Sequence, residues 1–511
     1  MIRQFYEENK QGHVFSFFNK LEFGDQQTLT RDAYLVDLPL INSLYDEFVV
    51  GKGQTVTLKY DKKSIMPVND TAIQSKEMIT EEERENSIEM GYELIRDGQV
   101  AVIVLAGGTG ARLGFDRSKG EYSLNLPSMK SIFQILLEKF LKAQMLAHNS
   151  KNLTDECQNC KFMVMTNPLN HIEIQKFFEF NNYFGASKES IVFFEQQVLP
   201  IVNFDGKIIM EEPNKIVLAP NGSGAIFDAI NNNIRVKEII DSISYVQIIH
   251  VDNPISKVLD PLMIGFSQLR GNYVTVKACT QRKGYFPQGG LFVIKDQRFA
   301  IMDNQDLLDL NTIRQEALEN MNIFMLKADK LSELCSNAEN LSYLYYQDFH
   351  RHNYWDFKTM KLVKPLQNNA YKFELRLTDM LPFVEPDKFG ILLVNREDEY
   401  APVIYADNLR TKTYQTSNTS FNNSTVSEMD SNKLTIGMNS YNYSETPQGA
   451  KDLIFQQSVR WLKNAGAQIT SDYAHVEVDT LLSYDGEGLI EMAEGKKMPP
   501  PNFIKKPYFR F

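Results

Sequence analysis

Cysteine is scarce in this chain of 511 residues, which contains only four. So few thiols cannot build the disulfide framework that is typical of small secreted proteins. Cys157 and Cys160 form a single Cys-x-x-Cys pair, and Cys279 and Cys335 stand alone. A zinc or redox site would need a second pair or a neighbouring histidine. We therefore expect reduced cysteines that bind no metal.

The sequence also lacks long apolar runs and long runs of lysine or arginine. No run approaches the roughly 20 residues that a membrane-spanning helix needs, and residues 1–8 have neither the basic start nor the apolar stretch of a secretory signal. The formal net charge is -11, which gives no strong attraction to nucleic acid or to an anionic membrane. We expect a cytoplasmic protein that binds neither, and a homo-oligomer is compatible with the sequence.

The length and the changes of composition predict several domains. A chain of 511 residues exceeds what one hydrophobic core usually serves. Helix-like spacing of apolar residues predicts a helical N-terminal domain over residues 1–95. A stretch crowded with Ser, Thr and Asn predicts a polar insertion or linker over residues 406–449. The largest domain would then span residues 96–405, and a small C-terminal domain with strands and glycine turns would span residues 450–511.

Apolar runs alternate with helical segments in the largest predicted domain. The run Val100–Ala106 is continuous and ends in glycines, which is typical of a strand buried on both faces of a parallel sheet. Similar runs occupy residues 162–165, 191–194 and 245–251, and helical patterns occupy residues 131–146 and 172–180. This alternation predicts an open α/β sheet. Ligands bind such sheets at the carboxyl ends of the strands, so the residues after each run are candidates for a binding site.

A glycine-rich loop follows the first of these runs. Residues 105–114 read Leu-Ala-Gly-Gly-Thr-Gly-Ala-Arg-Leu-Gly. Glycine allows the backbone to approach a phosphate closely and to turn successive N–H groups toward it. Arg112 and Lys119 add two cations where phosphate charge would need them. The loop is therefore predicted to bind phosphate, with a tight strand–helix turn that binds nothing as the alternative.

Two other glycine motifs fit this loop less well. A dinucleotide fingerprint requires Gly-x-Gly-x-x-Gly, but here the last glycine, Gly114, comes one residue late. A kinase-type P-loop requires Gly-Lys followed by Ser or Thr, and the loop has no such sequence. Neither motif is favoured.

The segment from Leu105 to Gly120, which ends Ser-Lys-Gly, closely resembles the signature of the eukaryotic UDP-N-acetylhexosamine (UDP-N-acetylglucosamine) pyrophosphorylases. Further motifs fall in the order of that family: Phe193-Phe194-Glu195-Gln196, Asp205-Gly206-Lys207, Ala219-Pro220-Asn221-Gly222-Ser223-Gly224, Val251-Asp252-Asn253, Arg396-Glu397-Asp398 and Leu482-Ser483-Tyr484-Asp485-Gly486. The resemblance covers nearly the whole chain, from Gly12 to about Phe503, apart from the polar insertion.

The resemblance implies a Rossmann-like nucleotidyltransferase fold of GT-A type: an α/β domain with a mixed sheet flanked by helices, a helical N-terminal region and a small β-rich C-terminal domain. It also implies an enzyme, a UDP-N-acetylglucosamine diphosphorylase, that joins UTP to N-acetylglucosamine 1-phosphate and releases pyrophosphate, with Mg²⁺ as cofactor. The sugar phosphate oxygen that attacks the α-phosphate is already anionic, so no general base is needed. A UDP-glucose or broad-specificity UDP-sugar pyrophosphorylase is the first alternative, and a non-catalytic UDP-sugar-binding protein is the second.

The family pattern assigns phosphate-binding roles to glycines and cations. By this resemblance Arg112 would hold the leaving pyrophosphate, and Lys119 would neutralise charge near the reacting phosphorus, although a lone lysine is often a solvated surface residue. Lys372 falls where the family has a second phosphate-binding lysine. The UTP-binding residues of the first strand and its loop would be Leu105, Gly107, Gly108 and Gly110.

The uracil and the metal are assigned to other strand ends. Gln196 would read the donor and acceptor edge of uracil, since a side-chain amide matches it, and Gly222 would close over the same base. Pro220 would also bind the substrate. Asp252 would hold Mg²⁺ between phosphates, because a hard cation favours carboxylate and phosphate oxygens. The alternative for Asp252 is a cap of the next helix.

The predicted sugar side departs from the family pattern. Ser223 stands where the family has an asparagine and offers one hydroxyl in place of an amide. Asn304 replaces a tyrosine, and residues 319–323 match the family segment only in part. Gly290 still fits the glycine that admits the sugar, and Asp303 keeps an acid where the family usually has glutamate. The sequence therefore leaves N-acetylglucosamine, N-acetylgalactosamine and glucose 1-phosphate as candidates.

Overall fold

The computed structural model describes residues 1–51, 64–68, 73–75, 79–149, 159–281, 289–303, 317–337, 345–407, 445–469, 475–497 and 502–505. Cys157, Asn304 and residues 408–444 of the predicted insertion lie outside the described residues.

The helices of the described residues are distributed over the whole chain. They are α1 (Ile2–Glu8), α2 (Phe23–Tyr34), α3 (Leu38–Tyr45), α4 (Glu81–Arg96), α5 (Ile132–Asn149), α6 (His171–Phe180), α7 (Ile226–Asn231), α8 (Ile234–Asp241), α9 (Pro261–Arg270), α10 (Ala328–Ser336), α11 (Arg396–Glu399), α12 (Pro447–Asn464) and α13 (Ile490–Ala493).

The strands concentrate in the middle of the chain. They are β1 (Ile65–Met66), β2 (Ile73–Ser75), β3 (Val100–Leu105), β4 (Lys161–Thr166), β5 (Ile191–Glu195), β6 (Val198–Pro200), β7 (Val202–Asn203), β8 (Met210–Glu212), β9 (Lys215–Ile216), β10 (Leu218–Pro220), β11 (Tyr245–His250), β12 (Val274–Cys279), β13 (Leu291–Lys295), β14 (Arg298–Met302), β15 (Glu319–Lys327), β16 (Tyr346–His350), β17 (Tyr354–Asp356), β18 (Lys361–Val363), β19 (Ala370–Glu374), β20 (Phe389–Leu393), β21 (Val476–Val478) and β22 (Asn502–Ile504).

The central sheet is mixed. Its main path runs β2-β20-β12-β15-β11-β3-β4-β5. All neighbours along this path are parallel except at β15, which is antiparallel to both β11 and β12. The hairpin of β13 and β14 joins the sheet through β15, and β1 pairs with β13. The predicted α/β fold class with a mixed sheet flanked by helices is confirmed.

Strand β3 shows why this sheet is covered on both faces. All six of its residues are buried, and successive side chains of a strand point to opposite faces. The even-numbered residues join a core that includes residues of α4, α5, α6, α9 and α12. The odd-numbered residues join a second core with residues of α7, α8 and α10. Because both faces are apolar, the edge where the strands end is left for polar side chains.

Helices α4 and α9 pack closely against each other on the first face. A Cβ at Gly91 would lie 2.0 Å from the Pro261 carbonyl oxygen, and one at Gly265 would lie 1.7 Å from that of Ser87. Only glycine allows this approach of the two backbones. Helix α4 is fixed at its start by Thr80, whose hydroxyl accepts from Glu83 N at 3.2 Å.

The two ends of the chain pack on the middle part in different ways. Apolar residues of α1, α2 and α3 share a core with residues of β6, β7, β8, β9 and β19. At the other end, α12, α13, β21 and β22 contribute to a small core of their own, and α12 also reaches the core on the α5 face. Among the described residues, no helix has both the length and the apolar character that crossing a bilayer requires.

Candidate active site

The ends of four parallel strands meet at one edge of the sheet. β11, β3, β4 and β5 are direct neighbours, and a backbone hydrogen bond from Gln196 N to Thr166 O continues the pairing beyond β5. The segments that follow these strands hold Gly107, Asn167, Gln196 and Asp252. The residues that were selected as strand-end candidates are therefore gathered in one place.

The glycine loop makes a tight turn after β3. Gly110 N donates to Arg117 O at 2.9 Å, and Gly110 O accepts from Leu113 N at 2.7 Å. A Cβ at Gly110 would lie 2.8 Å from the carbonyl oxygen of Phe115, so a larger residue would open the turn. In contrast, a Cβ at Gly108 would have no neighbouring heavy atom within 4 Å. The loop backbone thus faces open space at Gly108, where a phosphate could approach it.

Open space also borders the loop on the side of α2 and α6. A cleft of about 1360 Å³ is lined by Thr109 and Phe115 of the loop region, Arg31 and Leu35 from α2 and the region after it, and Lys176 of α6. Leu105, which was predicted to bind UTP, ends β3 with its side chain 7 % exposed in the core. A ligand would therefore meet the loop that follows Leu105 rather than this side chain.

Gly107 lies directly against Gln196. A Cβ at Gly107 would be 1.9 Å from Gln196 Nε2, and Gly107 O accepts from Asn167 Nδ2 at 2.6 Å. Gln196 is 4 % exposed, and within the described part of the chain its buried Oε1 has no hydrogen-bond donor. An unsatisfied buried acceptor costs free energy. A ligand N–H, such as that of uracil, would remove this cost, which fits the predicted role of Gln196.

Pro220 is held beside Gln196 by β6 and β10. The register pairs Pro220 with Val198, two residues after Gln196, and Asn221 N donates to Gln197 O at 3.1 Å. The structure therefore brings the two predicted base-binding segments together.

The turn after Pro220 is locked against the segment that follows β19. Gly222 has φ +89°, and a Cβ there would lie 2.2 Å from the Leu375 carbonyl oxygen. Ser223 Oγ accepts from Leu377 N at 3.0 Å. The Ser223 hydroxyl therefore has a structural partner already, and its proton and its second lone pair remain available for a ligand.

Lys119 and Asp252 face each other at the same sheet edge. Lys119 Nζ lies 3.9 Å from Asp252 Oδ2, and the two side chains are 14 % and 21 % exposed. Burial lowers the pKa of Lys119 below its usual value. The negative charge of Asp252 raises this pKa, and the positive charge of Arg112 lowers it further. Lys119 is thus not a solvated surface lysine. Nor does Asp252 cap the next helix, because Asp260 is the residue that caps α9.

Arg112 is exposed on a short 3-10 turn of residues 111–113. Its backbone oxygen accepts from Ala406 N at 3.1 Å, which fixes the turn. Within the described residues, no carboxylate pairs with its guanidinium. Arg112 can therefore turn toward an anion near Lys119, as predicted for the pyrophosphate.

The Asp252 loop is clamped by the segment that contains α11. Asp252 O accepts from Val403 N at 2.8 Å. Asn253 Nδ2 donates to Glu399 O at 2.7 Å, and Asn253 Oδ1 accepts from Ala401 N at 2.9 Å. Three hydrogen bonds therefore hold Asp252 opposite Lys119. Asn253 was selected only as a neighbour of Asp252, and the sequence gives no sign that Glu399 and Ala401 bind it.

Lys372 lies near the base side and is paired with an acid. Its Nζ donates to Glu374 Oε2 at 2.5 Å, and the Glu374 Cβ is 3.0 Å from where a Cβ of Gly222 would be. A phosphate would have to compete with Glu374 for this amine. The phosphate-binding role of Lys372 stays a prediction.

The predicted sugar-side residues Gly290 and Asp303 lie at one end of the β13–β14 hairpin. Gly290 has φ +76°, and a Cβ there would meet Ile301 Cγ2 at 2.5 Å. Asp303 Oδ2 accepts from Arg376 Nη1 at 3.0 Å. Arg376 was not selected from the sequence, and its position four residues after Lys372 is the one signal that could have pointed to it.

Comparison with known proteins identifies the family to which this chain belongs. A family model described as UTP–glucose-1-phosphate uridylyltransferase matches residues 40–441, well over half of the chain. The chain belongs to this uridylyltransferase family. Together with relatives named as UDP-N-acetylglucosamine diphosphorylase or pyrophosphorylase, this match confirms the family resemblance that the motifs predicted.

Relatives within the uridylyltransferase family are similar along most of the chain. UDP-N-acetylglucosamine diphosphorylase 2 of Arabidopsis thaliana is 29 % identical over 96 % of this chain and 91 % of its own length. UDP-N-acetylglucosamine pyrophosphorylase of Saccharomyces cerevisiae is 30 % identical over 83 % of this chain and 82 % of its own. The crystal structure of the uridine diphosphate N-acetylglucosamine pyrophosphorylase of Trypanosoma brucei has the same fold, with a TM-score of 0.73 at 24 % identity, covering 99 % of this chain and 97 % of that one.

Proposed function

We propose that this uridylyltransferase transfers the uridylyl group of UTP to N-acetylglucosamine 1-phosphate and releases pyrophosphate. The observation that carries the proposal is that Gly107 and Gln196, which were predicted to bind UTP, lie at the same sheet edge as the pair of Lys119 and Asp252. Relatives that are named for this activity and that match 96 % and 83 % of the chain support it. The cytoplasmic location and any self-association stay predictions from the sequence.

Lys119 and Arg112 would act on the phosphates without any proton transfer. The attacking oxygen of the sugar phosphate is already ionised, so catalysis consists of aligning the two phosphates and countering their charge. The partly buried Lys119 would stabilise charge at the reacting phosphate, where low exposure strengthens the attraction. The exposed Arg112 would hold the departing pyrophosphate.

Asp252 is suited to share a Mg²⁺ ion with the substrate. Within the described residues, no group of three or more His, Cys, Asp or Glu side chains could hold a metal ion. Mg²⁺ is commonly bound by one or two carboxylates and by substrate phosphates, which fits a single partly exposed Asp252. The ion would screen negative charge on the phosphates that Asp252 faces.

A UDP-glucose-forming activity is the second candidate. The observation in its favour is that Ser223, which replaces the family asparagine, already accepts a hydrogen bond from Leu377 N. A short hydroxyl that is held in this way contributes less to recognition of an N-acetyl group than an amide would. The relatives named for N-acetylglucosamine favour the first candidate.

A panel of sugar 1-phosphates separates these candidates. Purified protein is incubated with UTP, Mg²⁺ and the 1-phosphate of N-acetylglucosamine, N-acetylgalactosamine or glucose, and pyrophosphate is measured. We expect the highest kcat/KM with N-acetylglucosamine 1-phosphate and loss of activity with EDTA. Preference for glucose 1-phosphate would support the second candidate. If none of the three sugar 1-phosphates led to pyrophosphate release, only a binding protein would remain.

The Gly107→Ala substitution should weaken UTP binding. The new Cβ would lie 1.9 Å from Gln196 Nε2, so the amide must leave its place at the base. We expect the KM for UTP to rise about tenfold, which corresponds to ~1.4 kcal/mol, with little change in the KM for the sugar phosphate. Gly24→Ala is the matched control, because a Cβ at Gly24 meets no heavy atom within 4 Å. Equal KM values for UTP in the two variants would show that Gly107 and Gln196 do not form the base-binding site.

A further inference from the structure

Arg376 connects the two halves of the predicted sugar side. Its Nη1 donates to Asp303 Oδ2 at 3.0 Å. Asp303 lies at the end of the β13–β14 hairpin, next to which Gly290 also lies. Its backbone lies between Leu375, which packs against Gly222, and Leu377, whose N–H donates to Ser223. Asp303 and Ser223 come from distant parts of the sequence, and one short segment contacts both, through the side chain of Arg376 and the backbone of Leu377.

The guanidinium of Arg376 is held in a defined orientation. It lies 3.7 Å from the centre of the Tyr346 ring, a cation–π contact. The Tyr346 hydroxyl in turn donates to Asp379 Oδ1 at 3.0 Å, and Asp379 N donates to Arg376 O at 3.2 Å. The side chain of Arg376 is thus stacked on one side and paired with Asp303 on another.

The ion pair of Arg376 and Asp303 is neither buried nor fully solvated. The side chains of Arg376 and Asp303 are 35 % and 45 % exposed, so both keep surface for a ligand. A carboxylate only accepts hydrogen bonds, and a guanidinium offers five donors of which Asp303 uses one at Nη1. Together they form a polar edge that matches a ligand with neighbouring hydroxyl and carbonyl groups.

We propose that Arg376 is a positioning and specificity-determining residue that fixes Asp303 to accept from a sugar hydroxyl while presenting its own N–H groups to the adjacent substituent. This inference rests on the proposed function and adds to it the part of the site that selects the sugar. The ligand class is a hexose 1-phosphate with a hydrogen-bonding substituent at this edge. A sugar without this substituent would form fewer hydrogen bonds with Arg376 and Asp303 and would bind more weakly.

The test compares Arg376→Met with Arg298→Met. Arg298 lies on the same hairpin, is exposed and donates only to the Val384 backbone oxygen among the bonds of the described residues, so it is a matched control. For Arg376→Met we expect the KM for the sugar 1-phosphate to rise about tenfold, while the KM for UTP stays within about twofold. The ratio of kcat/KM for N-acetylglucosamine and glucose 1-phosphates should fall toward one.

Two further variants distinguish this role from a general structural one. Asp303→Asn should reproduce the change in sugar selectivity, and the double variant should add little, because the two residues act as one unit. Arg376→Lys should recover only part of the loss, since it keeps the charge without the planar fork. Equal increases in both KM values, or an Arg376→Met variant that behaves as Arg298→Met, would overturn the inference.

Binding measurements keep this test separate from that of the reaction. Calorimetry with UDP and UDP-N-acetylglucosamine gives the gain in affinity due to the sugar. We expect Arg376→Met to remove most of this gain and leave UDP affinity unchanged. A native chain that binds both ligands while the variant keeps the full gain would overturn this inference alone, whereas a native chain that binds neither would overturn the proposed function and this inference together.

Discussion

The Lys119→Ala substitution should lower kcat by about two to three orders of magnitude, as loss of one preorganised charge-stabilising group does in other enzymes. The lysine is 14 % exposed and faces Asp252 at 3.9 Å, so water cannot readily replace it beside the reacting phosphate. Because the interaction belongs to the transition state, kcat and kcat/KM should fall together. Steady-state kinetics with both substrates gives these values.

Lys188→Ala is the control for this experiment. Lys188 lies outside the site, near the Tyr183 ring, and its loss should leave kcat unchanged. Circular dichroism and thermal melting should show the native fold in both variants. An unchanged kcat for Lys119→Ala would remove Lys119 from the mechanism.

The Lys277→Met substitution should destabilise the fold by about 3–5 kcal/mol, since removal of one partner leaves buried charges without compensation. Lys277 is fully buried and pairs with Asp260 at 2.5 Å and with Glu399. Burial would lower the pKa of Lys277, but the two carboxylates raise it above its usual value, so the native protein contains the ammonium form. The free energy of unfolding in urea measures the effect.

Lys327→Met provides the comparison for Lys277→Met. Its ion pair with Asp329 spans 3.3 Å, with the side chains 39 % and 85 % exposed, and such surface pairs contribute about 0–1 kcal/mol. Equal losses of unfolding free energy in the two variants would show that the buried cluster of Lys277, Asp260 and Glu399 contributes no more than a surface ion pair. Glu399 also belongs to the clamp on Asn253, so Lys277→Met should impair activity together with stability.

Much of the fold follows from patterns that are local in sequence. The apolar run predicted at Val100–Ala106 is strand β3, and the helical spacing predicted over residues 131–146 is helix α5, three residues longer at its end. Strand β3 is buried throughout and helix α5 over most of its length. The spacing and composition of their apolar residues therefore suffice to find them. The antiparallel strand β15 is different, because nothing in the residues 319–327 reveals which neighbours it joins or in which direction.

Some residues of the candidate site could likewise be found from local motifs, whereas others could not. Gly107, Lys119 and Asp252 stand in compact motifs, and the structure gathers the strand ends that carry them. Arg376 and Asp303 are 73 residues apart, and their contact depends on how a hairpin and a turn meet in space. Ser223 was recognised as a departure from the family, but its bond to Leu377 N could be found only in three dimensions.

The most direct test of uridylyl transfer is ³¹P NMR of UTP and N-acetylglucosamine 1-phosphate with the protein and Mg²⁺. We expect the UTP and sugar phosphate signals to decline together while UDP-N-acetylglucosamine and pyrophosphate appear in equal amounts. The same mixture with the Lys119→Ala variant should change far more slowly. Persistence of both substrates, or hydrolysis of UTP without formation of a UDP-sugar, would contradict the proposed uridylyl transfer.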